Sequence, residues 1–228
     1  MSYNLLTVAS DSKTVKSIKF GYLTGILYLS PASISGKNLC PHSSAGCRAS
    51  CLHSSGRARI FPAIHKARLR RSELFIKDRQ SFMIQLMGDI SKLESAARKR
   101  GLKPAIRLNG TSDIPFENLS IFGKTLFEHF PKIRFYDYSK SPKRALENKI
   151  KNYHLTFSLS ESNVEVAKVV AAAGKNVAVV FRSKPKKFWG KRVINGDSHD
   201  IRFLDKKGVI VGLSAKGRAK KDKTGFVV

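Results

Sequence analysis

The chain has few cysteine, tryptophan and acidic residues, and it has no long apolar segment. Of its 228 residues, 3 are Cys, 1 is Trp and 16 are Asp or Glu. No run approaches the ~20 apolar residues that a membrane-spanning helix needs. The N-terminus has no basic stretch followed by an apolar core, so we expect no secretory signal. The sequence therefore predicts a cytoplasmic protein without a membrane partner.

The scarcity of acidic residues leaves a large surplus of positive charge. Lys and Arg total 43, which gives a net charge of +27. The basic residues cluster in three segments, RARIFPAIHKARLRR (57–71), RSKPKKFWGKR (182–192) and KGRAKKDK (216–223). Because such a surplus attracts polyanions, we predict contact with the phosphate backbone of DNA or RNA. The alternatives are a solvated basic surface and, for residues 216–228, a flexible basic tail.

Hydrophobic residues make up 42% of the chain, which suits a globular fold, and we expect a single α/β domain over 1–228. Short β-branched or aromatic runs alternate with amphipathic stretches, as in βα units. We expect two helices within 61–101 and one over 117–130. In and next to the latter, the helically spaced phenylalanines are predicted to be core: Phe116, Phe122, Phe127 and Phe130. The predicted strands are 21–30, 104–110, 132–139, 153–160, 176–183 and 208–214.

Helices between the strands and the lack of a Gly-rich dinucleotide fingerprint favour a TIM-like βα barrel, complete or incomplete, of about six parallel strands. Its chemistry would lie at the carboxyl ends of the strands. The candidate catalytic residues there and in the loop 194–205 are Asn109, Asp113, Asp137, Asp197 and His199. Asp197 and Asp200 would place carboxylates on both sides of the His199 imidazole. The residues predicted to bind a cofactor are Arg182, Lys184, Ser214 and Lys216. Helix caps and an Asx turn are the alternatives for these polar residues.

All three cysteines lie in CPHSSAGCRASC (40–51), in the loop after the first predicted strand. Gly46 would allow a sharp turn beside Cys47, and Cys47 and Cys51 would share one helical turn. The odd count and a reducing cytoplasm oppose a disulfide, and the polar surroundings oppose inert burial. Zinc bound by the cysteines and His53 is an alternative, although the gap between Cys51 and His53 is tight. A [4Fe-4S] cluster held by Cys40, Cys47 and Cys51, with one open iron, is the favoured reading.

Four segments together resemble the phage "gene product 88"-like proteins over about residues 22–217: CPHSSAGCRASCL, RLNGTSDIPFE, YDYSK and NGDSHDIRF. This resemblance implies a viral or mobile-element origin and brings no established activity. The layout also resembles the radical S-adenosylmethionine enzymes, in which a three-cysteine loop after the first barrel strand holds a [4Fe-4S] cluster. Those enzymes usually space their cysteines by three and two residues and carry a Gly-Gly-Glu-type run. Here the gaps are six and three residues, and NGTSD (109–113) stands at the corresponding place.

Three functional hypotheses follow from these features. The first is an iron–sulfur enzyme that acts on nucleic acid or nucleotides, with an open iron that binds S-adenosylmethionine for radical chemistry or sulfide for sulfur transfer. The second is a non-catalytic nucleic-acid-binding protein with a structural zinc or iron–sulfur site. The third is a hydrolase in which hard cations are bound by Asp137, Asp197, His199 and Asp200.

Overall fold

The computed structural model describes residues 3–10 and 12–228, and it has an α/β architecture. Its strands are β1 (Leu6–Val8), β2 (Tyr22–Leu27), β3 (Lys103–Arg107), β4 (Ser120–Ile121), β5 (Lys124–Thr125), β6 (Arg134–Ser139), β7 (Tyr153–Ser158), β8 (Val177–Phe181), β9 (Lys187–Phe188), β10 (Lys191–Asn195) and β11 (Ile210–Ser214). Its helices are α1 (Ser12–Ile18), α2 (Ala45–Ala49), α3 (Arg57–Ile60), α4 (Pro62–Lys77), α5 (Arg79–Lys99), α6 (Leu126–His129), α7 (Pro142–Glu147) and α8 (Val164–Ala172). Short 3-10 helices span Leu52–Ser54, Phe116–Asn118, Arg202–Leu204 and Gly217–Lys221. Within the described residues, no helix has the length and apolar character to cross a membrane.

In the described part of the chain, nine strands form the main sheet in the order β1-β2-β3-β6-β7-β8-β11-β10-β9. The strands from β2 to β10 in this order are parallel to their neighbours. The edge strands β1 and β9 run antiparallel to theirs. Strands β4 and β5 form a separate hairpin.

The predicted TIM-like barrel is wrong, because the sheet is open. Closing a barrel would require the first parallel strand, β2, to pair with the last one along the chain, β11. The outer edge of β2 is instead occupied by β1, and the outer edge of β11 is occupied by β10. With both edges already hydrogen-bonded, neither strand is available for closure.

The main core lies between one face of the sheet and the long helix α5. Phe82, Leu86 and Ile90 of α5 are fully buried, and the helix packs against β2 and β3. Their spacing of four residues places them on one helical face. Asp78 caps the start of α5 by accepting a hydrogen bond from the Ser81 amide at 2.9 Å. Hydrophobic burial on this face therefore fixes α5 against the sheet.

The helix predicted over 117–130 is wrong for most of that range. The structure has the 3-10 helix Phe116–Asn118, the β4–β5 hairpin and only one helical turn, α6. Phe122 and Gly123 have positive φ values of 51° and 75°, which two-residue hairpin turns require. Phe122 is therefore at the turn and 70% exposed, whereas Phe127 is buried as predicted.

The packing of α5 predicts a strong difference between two isoleucines on the same helix. Ile90→Ala should lower the free energy of unfolding by about 2–5 kcal/mol, because it leaves a cavity in the core. Ile84 is 45% exposed, so Ile84→Ala should change it by about 0.5 kcal/mol or less. Urea unfolding followed by circular dichroism measures both. Equal losses in the two variants would contradict the assigned face of α5.

Candidate metal centre

The cysteine segment (residues 40–55) lies at the carboxyl edge of the main sheet. The sulfur of Cys40 is 3.6 Å from the carbonyl oxygen of Thr111, in the loop after β3, and 3.3 Å from the amide nitrogen of Ala32, in the loop after β2. Because β2 and β3 are parallel, the loops that follow them meet at this edge. Ligand sites of open α/β sheets are found at the same edge.

The prediction that Cys47 and Cys51 share one helical turn is wrong. Cys47 lies in α2, and its amide donates to the hydroxyl of Ser44, which caps the helix, at 3.1 Å. Helix α2 ends at Ala49, and Cys51 instead begins the 3-10 helix Leu52–Ser54. The Cys51 sulfur accepts from the amide of His53 at 3.5 Å. Helix α2 therefore ends between the two cysteines, and the backbone is extended at Cys51.

Glu161, which follows β7, holds α2 against the sheet edge. One of its carboxylate oxygens accepts from the amide of Gly46 at 2.7 Å, and the other accepts from the Ser44 hydroxyl at 2.8 Å. A Cβ at position 46 would come within 2.8 Å of the Glu161 carboxylate and would collide with the hydroxyl of Thr224. Glycine at position 46 is therefore explained by this close approach and not by the predicted sharp turn.

The three thiols influence one another electrostatically. The pKa of Cys40 is raised to about 12, mainly by burial; the amide of Ala32 opposes this rise, whereas Cys51, Asp113 and Cys47 contribute to it. Burial also raises the pKa of Cys51; Cys47 adds to this rise, whereas the positive charges of Arg68 and Lys140 oppose it. The three thiols therefore share one electrostatic environment with Arg68 and Lys140.

All three cysteines are free thiols. Within residues 3–10 and 12–228, no three His, Cys, Asp or Glu side chains are arranged to hold a metal ion as they stand. His53, the fourth ligand of the zinc alternative, has its ring nitrogens 2.8 Å from His65 and 3.1 Å from Arg68. Burial lowers the pKa of His53 to about 4. Recruiting His53 to a metal through either ring nitrogen would break the contact that this nitrogen makes, whereas a site made of thiolates alone would break neither.

Asn109 and Asp137, both predicted as catalytic, lie together in a buried network. Asp137 accepts from the backbone amide and the side-chain amide of Asn109 at 2.7 and 3.1 Å, and from the hydroxyl of Tyr153 at 2.8 Å. The side-chain oxygen of Asn109 accepts from the amide of Ile114 at 2.8 Å. Burial raises the pKa of Asp137 to about 6. These contacts fix the turn that follows β3.

Asp113 is also fully engaged. One carboxylate oxygen is 2.5 Å from the guanidinium of Arg144, and the other accepts from the backbone amide of Lys140 at 2.9 Å. The same guanidinium is 2.5 Å from Glu117. This buried network joins the loops after β3 and β6, directly beside the cysteine segment.

The structure brings Asp197 together with three of the four predicted cofactor-binding residues. Its carboxylate is 2.9 Å from the amine of Lys184, 2.6 Å from that of Lys216 and 2.9 Å from the backbone amide of Ser214. Burial acts to raise the pKa of Asp197, but the hydrogen bonds from Lys216 and Lys184 hold it well below its usual range. Both amines thus contact one carboxylate, whose single negative charge offsets one of their two positive charges.

Arg182, His199 and Asp200 have separate partners. The guanidinium of Arg182 donates to the carbonyl oxygen of Asp222. His199 is 2.8 Å from the guanidinium of Arg202, whereas Asp200 is 2.9 Å from Arg107 on β3. The structure therefore does not place the His199 imidazole between the carboxylates on either side of it in the sequence.

The C-terminal segment (residues 216–228), predicted as a flexible tail, packs beside the cysteine segment. The hydroxyl of Ser50 donates to the carboxylate of Asp222 at 3.4 Å, and Val227 forms a β-bridge with Val180 of β8. Sequence reasoning singled out neither Asp222 nor Thr224. The available signal was Asp222, the only acidic residue within KGRAKKDK.

These observations define an α/β protein with a cysteine-bearing loop at the carboxyl edge of an open, mostly parallel sheet. The family model described as Gene product 88 matches residues 3–228. The chain belongs to the Gene product 88 family, which confirms the resemblance to these phage proteins. No curated protein and no solved structure matches it. The resemblance to radical S-adenosylmethionine enzymes receives no support from these comparisons.

The anchoring role of Glu161 predicts that Glu161→Ala lowers the free energy of unfolding by about 1–3 kcal/mol, because the Gly46 amide loses its buried acceptor. It should also speed the reaction of Cys47 with a thiol reagent. The control is Glu165→Ala on α8, where an exposed carboxylate pairs with Lys168 and little change is expected. Urea unfolding and thiol-labelling rates test this, and unchanged labelling in Glu161→Ala would contradict it.

Proposed function

We propose that this protein binds a [4Fe-4S] cluster through Cys40, Cys47 and Cys51 and acts as an enzyme on nucleic acid or nucleotides. The observation that carries the proposal is the position of the cysteine segment at the carboxyl edge of the sheet, where the Cys40 sulfur contacts the loops after β2 and β3. Thiolates are the usual ligands of iron–sulfur clusters. The edge itself is where open α/β sheets bind ligands.

The surroundings of the thiols support a negatively charged group. Arg68 and Lys140 act on Cys51 as positive charges, and they would offset the charge of a thiolate-ligated cluster. The amides of Ala32 and His53 point at the sulfurs of Cys40 and Cys51, and such hydrogen bonds tune cluster potentials. Metal binding would displace the thiol protons.

A cluster held by three thiolates supplies one iron that is open to an external ligand. S-adenosylmethionine and sulfide are the two external ligands that we propose to test. Other residues of the chain hold the cysteines in place. Glu161 and Ser44 fix α2, which carries Cys47, and Asp222 contacts Ser50 at the end of α2. Free thiols and such a cluster suit a reducing cytoplasm, where we propose that the protein resides.

The second candidate is a basic nucleic-acid-binding protein in which the metal only stabilises the cysteine segment. One observation favours it over the enzyme. The carboxylates of Asp113 and Asp197, predicted to be catalytic, are each engaged by cations of the chain itself. Carboxylates saturated in this way shape loops more readily than they transfer protons.

The cluster proposal predicts about four irons and about four sulfides per chain after anaerobic reconstitution, with a broad absorption shoulder at the blue end of the visible spectrum. Cys40→Ala, Cys47→Ala and Cys51→Ala should each lose most of the iron and the colour. His53→Ala should keep both, because no imidazole ligand is required. Metal analysis and absorption spectroscopy measure these quantities.

The same variants separate iron from zinc. A colourless wild-type protein with one tightly bound zinc, lost in His53→Ala as in the cysteine variants, would identify the zinc alternative. Stoichiometric iron in Cys47→Ala would show that the ligand assignment is wrong.

The net charge of +27 predicts steeply salt-dependent binding to nucleic acid. Neutralising three or more phosphates should weaken the affinity for a single-stranded oligonucleotide at least about tenfold between about 50 mM and about 200 mM salt. Fluorescence anisotropy titrations over this range measure the slope. A flat dependence would contradict direct phosphate contacts.

A further inference from the structure

A cavity of about 600 Å³ lies between the cysteine segment and the C-terminal segment. Two residues past Cys51, His53 forms part of its wall, so the cavity is next to the proposed metal centre. The residues that line it include His53, His65, Arg59, Arg218, Lys221 and Gly217. Its volume is in the range of small-ligand sites.

The cavity wall carries three cations and no acidic side chain. Within the part of the chain that the structure describes, Arg59, Arg218 and Lys221 form no ion pair. The adjacent carboxylate of Asp222 is directed elsewhere, since it accepts from Thr224 at 2.7 Å and from the Val227 amide at 3.1 Å. The positive charge in the cavity is therefore uncompensated, unlike that of the lysines around Asp197.

Both walls of the cavity are fixed by the fold. Gly217 has a φ of +55°, and a Cβ there would collide with the hydroxyl of Ser55, so the C-terminal segment lies directly on the cysteine segment. The Val228 amide donates to the Val180 carbonyl at 2.9 Å, which ties the end of this segment to β8. The hydroxyl of Ser55 is buried and, among the described residues, has no hydrogen-bond partner. Its burial reflects the close contact between Ser55 and Gly217.

We propose that this cavity binds a phosphate group of a nucleotide or nucleic-acid strand and holds that ligand beside Cys51. Guanidinium groups bind phosphate oxygens in pairs of parallel hydrogen bonds, and Arg59 and Arg218 bring two such groups to one cavity. Lys221 adds a third positive charge, and the imidazole of His65 adds a polar group to the wall. The inference rests on the proposed function for the class of ligand, and it adds the site where that ligand binds.

The test compares two triple variants that remove the same charge. Arg59→Gln/Arg218→Gln/Lys221→Gln should weaken binding of a short single-stranded oligonucleotide at least about tenfold at about 150 mM salt. The control is the triple variant Arg98→Gln/Lys99→Gln/Arg100→Gln at the end of α5. These three residues are exposed, and they lie next to Gly101 and the start of β3, at the opposite edge of the sheet. The control should lose less than about threefold, because it removes only long-range charge.

Competition titrations identify the ligand. A 5′-mononucleotide that displaces the oligonucleotide from the wild type but not from the cavity variant shows that one nucleotide fills the cavity. Displacement by oligonucleotides alone shows that a strand is required. Either result supports the inference. Equal losses in the two triple variants, or displacement by inorganic phosphate as effective as that by the mononucleotide, would overturn it.

Iron content separates this inference from the proposed function. The cavity variant should keep its iron and its wild-type unfolding midpoint in urea while losing oligonucleotide affinity. A wild type without iron whose binding is still abolished in the cavity variant would refute the cluster and retain the cavity. If the wild type contains iron and the cavity variant binds the oligonucleotide as tightly as the wild type, the cavity proposal is refuted and the cluster proposal is retained.

Discussion

The candidate site depends on the hydrogen bonds that the carboxylate of Glu161 accepts from Ser44 and Gly46. A segment of small and polar residues cannot bury enough apolar area to order itself, so contacts of this kind must hold it. Glu161 lies in the loop after β7, whereas the cysteines follow β2, three positions away across the sheet. The parallel arrangement of the strands makes this contact between distant parts of the sequence possible.

Several parts of the fold could be predicted because they follow from local patterns. The alternation of apolar runs and amphipathic stretches predicted an α/β protein, and six predicted strands overlap β2, β3, β6, β7, β8 and β11. Asp113 and Asp137 could be predicted to lie at the carboxyl edge of the sheet because polar residues gather at the carboxyl ends of parallel strands. Barrel closure could not be predicted in the same way, because it depends on whether the three residues of β1 pair with β2.

The roles of individual side chains were harder to predict, because charge alone does not reveal a partner. Lys184 and Lys216 were expected to bind a cofactor, yet both amines contact Asp197. Arg59 and Arg218, from two different basic clusters, meet instead at one cavity without an ion pair among the described residues. Helical spacing likewise led to a wrong prediction for Phe122, which was expected in a buried helix. It lies instead in a hairpin turn that Gly123 allows.

Mössbauer spectroscopy of the anaerobically reconstituted protein tests the metal assignment most directly, because it reports each iron separately. A cluster with three thiolate ligands predicts a cubane spectrum in which about one iron in four changes its isomer shift when an external ligand such as S-adenosylmethionine or sulfide is added. A single mononuclear iron spectrum, or a cubane whose irons all stay unchanged with every added ligand, would contradict an open iron held by Cys40, Cys47 and Cys51.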